Sequence, residues 1–313
     1  GARQMEKSNH RLLEIFSSLQ NQTEIKKILQ KEFSVFLSAA DDETDKIIIT
    51  GYYEAEISVS ERPNEKHKFP THLRPRDLIK TTPEMNVNFD YGRIDENGNI
   101  VKHFSTEEIR SGKLDGQNLD IAWSSHPAEI MLLQIQGSGI LRFSDNSFVK
   151  VGFDGANGWP FKSVQKILTD CGEIPSMNFR DFITYLTLQP LEREIRLTNL
   201  NPRYIFFKLK PPYSDPCGAM GQELVTGRSI AVDPKALPLG TAGLILSKRP
   251  VANENGEIET FKKFTRFVSA QDTGSAIRGA GRVDLFWGHG KKAEIESSSM
   301  KEEGELYIFV LKN

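Results

Sequence analysis

The hydrophobic pattern changes character several times along the chain. Across residues 6–37, Leu12, Leu13, Ile15, Phe16 and Leu19, then Ile25, Ile28, Leu29, Phe33 and Phe36, recur at helical spacing. That predicts a helical stretch closed by a polar turn at Asp41-Asp42-Glu43. From Lys46 the texture turns to β, with Ile47-Ile48-Ile49-Thr50-Gly51-Tyr52-Tyr53 rich in β-branched and aromatic residues. Short runs of this kind recur to about Val151, separated by turns such as Asp95-Glu96-Asn97-Gly98. Residues 130–143 read as a hairpin or bent strand, because Gly137-Ser138-Gly139 interrupts an apolar run. Two helices break the β region. The first, within 161–170, carries Val164, Ile167 and Leu168 and stops at Cys171-Gly172. The second is capped by Asn178, has Phe182, Ile183 and Leu186 as its stripe, and is interrupted by Pro190. Strands follow at 204–209, 242–247, 264–270 and 306–311. The order is helix, strands, a helical pair, then strands. It predicts a mainly β fold of α+β character, built on a barrel rather than a doubly wound sheet.

Length and charge narrow the picture. A chain of 313 residues suggests about two domains. With 40 basic against 42 acidic side chains, affinity for nucleic acid driven by a large basic excess is excluded. No window approaches the roughly 18 consecutive apolar residues of a membrane span. The first residues, Gly1-Ala2-Arg3-Gln4-Met5-Glu6-Lys7, hold no apolar signal core, and Gly1-Ala2 resembles a pair left where an upstream segment was removed. Cys171 and Cys217 are too few for a disulfide framework and sit at no zinc-ligand spacing; two buried free thiols are expected. P-loop and strand-turn-helix GxGxxG patterns are absent.

Candidate chemistry starts by elimination. His10, His67, His72, His103, His126 and His289 are scattered and read as solvated or structural. Ser138 lacks the flanking pattern of a serine-hydrolase elbow. Three aspartates stand out. Asp272 ends the run Phe264–Gln271, Asp284 lies in Gly281-Arg282-Val283-Asp284-Leu285-Phe286-Trp287-Gly288, and Asp233 follows Ser229-Ile230-Ala231-Val232. Each sits by an apolar run amid small residues. The spacing of Asp272 and Asp284 suits a turn between neighbouring strands. Carboxyls sharing one site would raise one another's pKa. Singly, Asp233 before Pro234 and Asp272 before Gly274 read as turn residues; together the three favour a site. Asp272-Thr273-Gly274-Ser275 also spells the aspartic-protease tetrad, but a single copy would require a homodimer. Tyr52, Tyr53, Gln136, Trp159, Phe161 and Trp287 neighbour glycines, and aromatic faces beside amides suit a sugar polymer.

Taken together these segments resemble the membrane-bound lytic transglycosylase A family of murein-degrading enzymes. The resemblance runs over about residues 45–312. It is carried by Thr50-Gly51-Tyr52-Tyr53, by Gln134-Ile135-Gln136-Gly137-Ser138-Gly139, by Asn157-Gly158-Trp159-Pro160-Phe161-Lys162-Ser163, by Asn201-Pro202-Arg203-Tyr204-Ile205-Phe206-Phe207, and by the three aspartates, which fall in segments like those of the three-aspartate (3D) domain. Phe161 stands where the family pattern has Tyr. The resemblance implies a double-psi β-barrel catalytic domain from residues 1–54 and 212–313, with N-terminal helices, and an inserted smaller β domain over 55–211 that walls a glycan groove. It implies Asp284 as the catalytic acid, with Asp272 and Asp233 as neighbours. Thr50, Tyr52, Tyr53, Gln136, Gly137, Ser138, Trp159, Phe161, Lys162, Lys208 and Gly274 would meet the substrate. It implies cleavage of the MurNAc–GlcNAc bond of peptidoglycan to a 1,6-anhydro product, with no metal or organic cofactor. A periplasmic location, a lipid anchor in the outer membrane and a monomeric state complete the expectation. A non-catalytic polysaccharide-binding barrel and a dimeric aspartic protease using Asp272 are the alternatives.

Overall fold

A computed structural model describes residues 2–19, 21–40 and 46–312. Gly1 and the turn expected at Asp41-Asp42-Glu43 lie outside the described residues. In chain order come helices α1 (Ala2–Ser18) and α2 (Gln22–Glu32) and strands β1 (Phe33–Ser38) and β2 (Ile47–Ser58). Next are β3 (Phe69–His72), β4 (Ile79–Lys80), β5 (Tyr91–Ile94), β6 (Ile100–Val101), α3 (Thr106–Glu108), β7 (Asp120–Ser124), α4 (Pro127–Gln136), β8 (Ser138–Arg142) and β9 (Phe148–Ala156). Then follow α5 (Val164–Asp170), α6 (Phe179–Thr187), α7 (Leu191–Asn199) and β10 (Ile205–Lys210). The last segment holds β11 (Ser229–Ala231), β12 (Ala242–Ala252), β13 (Ile258–Asp272), β14 (Arg282–His289), α8 (Lys291–Ser299) and β15 (Lys301–Leu311). The chain divides into two compact units, Gly1–Tyr53 with Cys217–Asn313, and Glu54–Pro216.

The first unit is a closed barrel. Its strands run β15-β12-β13-β11-β14-β2, and β15 pairs back onto β2 to close the ring. Ile47, Ile49, Ile230, Val232, Ile245, Val268, Val283, Leu285 and Leu306 fill it. They come from alternate positions of their strands, as a sheet with one dry face requires. β15 leaves β12 and joins β2 at Gly304, where an added Cβ would lie 2.7 Å from the Leu246 carbonyl oxygen and 2.5 Å from Ile49 Cδ1. Only a residue without a side chain lets three strands meet there.

Outside the barrel, β1 adds to β15 in antiparallel register, with Phe33 opposite Leu311. α1 lays Leu12 and Ile15 over Phe33 and Phe309. The helical stretch expected over 6–37 is thus two helices and a strand. Asn21 caps α2 by accepting from the Thr23 N–H at 2.9 Å. Helical periodicity gives way at Phe33 because Phe-Ser-Val-Phe-Leu-Ser finds an open strand edge to pair with.

In the second unit β2 continues as Ala55–Ser58, parallel to β8, and β8-β9-β10 follow as antiparallel neighbours. Asn178 caps α6 as the sequence predicts, Ser163 caps α5, and Gly172 takes a left-handed φ of 76° after α5. α7 starts straight after Pro190. Val164, Leu168, Phe182, Leu186 and Leu197 from α5–α7 pack with Ala128 and Met131 of α4.

Part of the stretch expected to be a hairpin over 130–143 is instead this helix α4, ended by Gly137 at φ 79°. Seven of its ten residues are buried. A helix buried all round has no amphipathic stripe, so its apolar run is indistinguishable from a strand by period. The two cysteines also differ from expectation: both residues are exposed rather than buried.

Two buried ionic contacts fix this unit. The Glu194 carboxylate accepts from Ala128 N–H at 3.1 Å and lies 3.0 Å from His126 Nδ1, so it holds the N-terminus of α4. Lys150 Nζ donates to Glu54 at 3.0 Å and to the Ser214 carbonyl at 3.0 Å, tying together the segments where the chain enters and leaves the unit. Lys150→Met should therefore destabilise this unit by about 3–5 kcal/mol, because it strands a buried Glu54 carboxylate. Adding Glu54→Leu should restore most of the loss. Calorimetric unfolding of the single and double variants checks this, and a single variant as stable as the wild type would contradict it.

Candidate active site

The site residues of the barrel unit are set by β11, which lies between β13 and β14. β11 is parallel to β13 and antiparallel to β14, and Ala231 pairs with Asp272 on one side and Asp284 on the other. Asp272 and Asp284 are thus not on directly adjacent strands, as their spacing suggested. They flank a third strand that enters from forty residues upstream. A register shift puts Asp272, rather than Gln271, opposite Ala231. Without that bulge, alternation would aim Asp272 into the barrel core beside Ala270.

Asp284 is half-buried on the face of β14 opposite Val283 and Leu285, which are core residues. The same outer face gathers Tyr52, Ala231, Phe286, Leu224 and Ile277 into an apolar cluster. Thr50 Oγ1 donates to Asp284 Oδ1 at 2.8 Å. Burial lifts the Asp284 pKa to about 6; the negative charge of Asp272 adds to the rise, while the Thr50 hydrogen bond and the Arg282 charge oppose it.

Asp272 is held differently. It accepts from Tyr52 Oη at 3.0 Å, from Ala219 N–H at 3.0 Å and from Thr273 N–H at 2.8 Å. Burial raises its pKa, against those three hydrogen bonds. Tyr52 in turn has its phenol pKa pushed well up by burial and by Asp272. Its ring packs on Phe286 at 5.3 Å between centroids and is buried, so it supports the carboxyls rather than offering a face to a sugar.

Asp233 corrects one expectation. Asp272 adds to the rise at Asp284, but Asp233 takes no part in that coupling. Asp233 accepts from Gly279 N–H at 2.9 Å and Lys235 N–H at 3.0 Å, and these bonds lower its pKa. It is the turn residue that Pro234 suggested. Gly274 opens the turn in which Ile277 N–H donates to its carbonyl at 3.0 Å, and an added Cβ there would lie 2.8 Å from Ile277 Cγ1. Tyr53 is buried. Arg282 carries a charge toward Asp284 and was not singled out; its place two residues before Asp284 on a strand was the available signal.

The remaining candidates lie in the second unit, at two places. Ser138, Gly152 and Lys208 form one row across β8, β9 and β10, next to Gln136 at the end of α4 and Gly137. Trp159, Phe161 and Lys162 sit in the loop after β9. Trp159 Nε1 donates to the His103 carbonyl at 2.9 Å, and Lys102 Nζ lies 4.7 Å from the centre of its ring. Five residues of β9 and its end separate Gly152 from Asn157, about 17 Å at strand rise. These two groups are therefore separate places. Glu54, a buried carboxylate at the start of the second unit, is committed to Lys150. Among the described residues, no three His, Cys, Asp or Glu side chains converge to hold a metal ion. No described helix is long and apolar enough to cross a membrane.

A barrel with β11 parallel to one neighbour and antiparallel to the other, interrupted by an inserted β unit, is a double-psi β-barrel fold seen in solved structures. A membrane-bound lytic murein transglycosylase from Agrobacterium tumefaciens is 27% identical, with 96% of this chain and 83% of that one aligned at a TM-score of 0.80. MltA from Neisseria gonorrhoeae is 25% identical over 95% of this chain and 81% of its own, at a TM-score of 0.72. Membrane-bound lytic murein transglycosylase A of Vibrio cholerae is 26% identical over 276 residues, 87% of this chain and 67% of that protein. The family model of the MltA specific insert domain matches residues 48–208, and that of the 3D domain matches residues 228–310. The chain belongs to the MltA family.

The raised pKa of Asp284 has a consequence for folding. The folded chain holds this proton more tightly than the unfolded chain, whose carboxyl titrates near pH 4. Asp284 is thus neutral to folding below pH 4, and its ionisation works against the fold as pH rises through about 6. Asp284→Asn should be the more stable protein at pH 7.5, by on the order of 2 kcal/mol. The gap should close at pH 4. Denaturant midpoints at the two pH values measure it, and a variant less stable at pH 7.5 would mean that the carboxylate form is the one the fold prefers.

Proposed function

We propose that this protein is a peptidoglycan lytic transglycosylase in which Asp284 acts first as acid and then as base. The observation that carries the reading is the half-buried Asp284 carboxyl on β14, with a pKa of about 6. A carboxyl titrating there is protonated in a useful fraction of molecules near neutral pH and still gives its proton up readily. It protonates the glycosidic oxygen, and the C1–O bond breaks with its electron pair leaving on that oxygen. The C6 hydroxyl of the same muramic acid then attacks C1 and returns its proton to Asp284. The product is a 1,6-anhydro ring, and the enzyme ends as it began.

Ordinary glycosidases use a second carboxyl about 5–9.5 Å from the first, to attack or to activate water. Asp272 is a poor candidate for that part. Three donors, Tyr52 and two backbone N–H groups, fix its orientation. It serves as a fixed charge beside the acid. Ser138 and Lys208, in one row beside Gln136, supply hydroxyl, ammonium and amide groups to N-acetyl and hydroxyl functions of a glycan strand. The enzyme works in the bacterial envelope, on the periplasmic side, where peptidoglycan lies; attachment to the outer membrane through a lipid-bearing segment is the finer form of this assignment.

Digestion of purified murein, with mass analysis of the released muropeptides, tests the reading. Muramic ends should be the anhydro form, lighter by one water than reducing ends. Asp284→Ala should lose at least about 10²–10⁴-fold in rate. A majority of reducing ends, or an alanine variant with more than about a tenth of the wild-type rate, would overturn the assignment.

A further inference from the structure

We propose that Arg282 is a positioning residue for Asp284, the fixed cation that holds it as a carboxylate in the interval between its two proton transfers. The inference rests on the transglycosylase reading above. Alternation along β14 puts Arg282 and Asp284 on the same outer face, two residues and about 7 Å apart along the strand. Val283 and Leu285 between and after them point into the core. Arg282 is half-buried, and its Nε is buried with no hydrogen-bond partner. A guanidinium cannot lose its proton in a protein, so it is a permanent charge. An arginine of this kind is usually paired off by a carboxylate; among the described residues none lies within ion-pair reach of this one.

The groups that face Asp284 are Thr50 and Tyr52 from β2, Asp272 from β13 and Arg282 from its own strand. Two are neutral, one is anionic and Arg282 alone of these is cationic. The reaction makes that asymmetry matter. Once Asp284 has given up its proton, two carboxylates flank Ala231 in an apolar setting, and like charges there resist joint ionisation. Thr50 supplies one hydrogen bond to the new carboxylate, and Arg282 supplies the opposing charge. Burial makes Asp284 an acid; Arg282 keeps that acid from becoming too weak to release its proton.

The test is the pH dependence of kcat/KM on soluble glycan strands for the full chain carrying Arg282→Met, Arg282→Gln or Arg282→Lys. The alkaline limb reports ionisation of Asp284. Both neutral variants should move it upward by roughly half to one pH unit and lower the rate on the acid side by about threefold to tenfold. Arg282→Lys should bring limb and rate most of the way back. A purely structural arginine would lower rate and melting temperature without moving the limb. A limb that stays in place in whichever neutral variant folds, or a lysine variant as shifted and slow as the neutral ones, overturns the proposal. If those variants still release anhydro ends and still need Asp284, the transglycosylase reading survives that failure. If the wild type releases reducing ends, the reading itself falls.

Discussion

The active face of the barrel depends on one methyl side chain lying between two carboxyls. Ala231 pairs with Asp272 across one ladder and with Asp284 across the other. A larger residue at this buried position would crowd the apolar cluster of Tyr52, Leu224, Ile277 and Phe286 on this face, and a polar one would be buried in it. The arrangement needs a strand with a parallel neighbour on one side and an antiparallel one on the other. β11 meets that need in three residues because the closed ring around it already fixes the spacing of β13 and β14. The bulge at Gln271 completes it, by changing which residue of β13 faces outward. Charge, hydrogen bonding and pKa on this face are consequences of that register.

Much of this was legible in the sequence, and what was not has identifiable causes. Strands β2 and β10 announce themselves by β-branched and aromatic runs that need no partner to be recognised. The caps at Ser163 and Asn178 act locally, through their own backbone, and were read correctly at Asn178. Asp272 and Asp284 were visible because each breaks an apolar strand with a charge. Their relation was hidden, since the strand between them comes from a distant part of the chain and contact order leaves no local mark. α4 was hidden for the opposite reason: it is so thoroughly buried that its period vanishes. β1 looks helical in the sequence because Phe33 and Phe36 continue the spacing of Ile25 and Leu29, while the edge of β15 that decides the matter lies at the other end of the chain. Exposure of Cys171 could not be read either; it falls at the C-cap of α5, where a small residue follows the last buried turn.

The family match adds something that geometry alone does not. The insert model and the 3D model cover complementary stretches, 48–208 and 228–310, and between them span β2 through β15. The first begins inside β2, and that strand belongs to both units: its Thr50 and Tyr52 serve the carboxyls of the barrel, and its Ala55–Ser58 pairs with β8. One continuous strand therefore carries the hydrogen-bond partners of both carboxyls and founds the sheet of the second unit. Shifting its register by one residue would turn Thr50 and Tyr52 away from Asp284 and Asp272 and would break the pairing with β8 at the same time.

The carboxyls themselves show why residue type is a weaker guide than surroundings. Asp233, Asp272 and Asp284 all stand at or near strand ends in glycine-rich segments. Asp233 meets two N–H groups, and its pKa falls. Asp272 meets two N–H groups and a phenol in a buried setting, and its pKa rises despite them. Asp284 meets one hydroxyl and an apolar cluster, and its pKa climbs to about 6. The progression follows the number of donors set against the loss of water. Glu54 is held differently again, by the Lys150 ammonium at 3.0 Å. Each of the other three is held in place by fixed partners. In the proposed reaction Asp284 supplies the one mobile proton, and the nucleophile comes from the substrate itself. The muramic acid C6 hydroxyl is the nucleophile that a single carboxyl can both wait for and deprotonate.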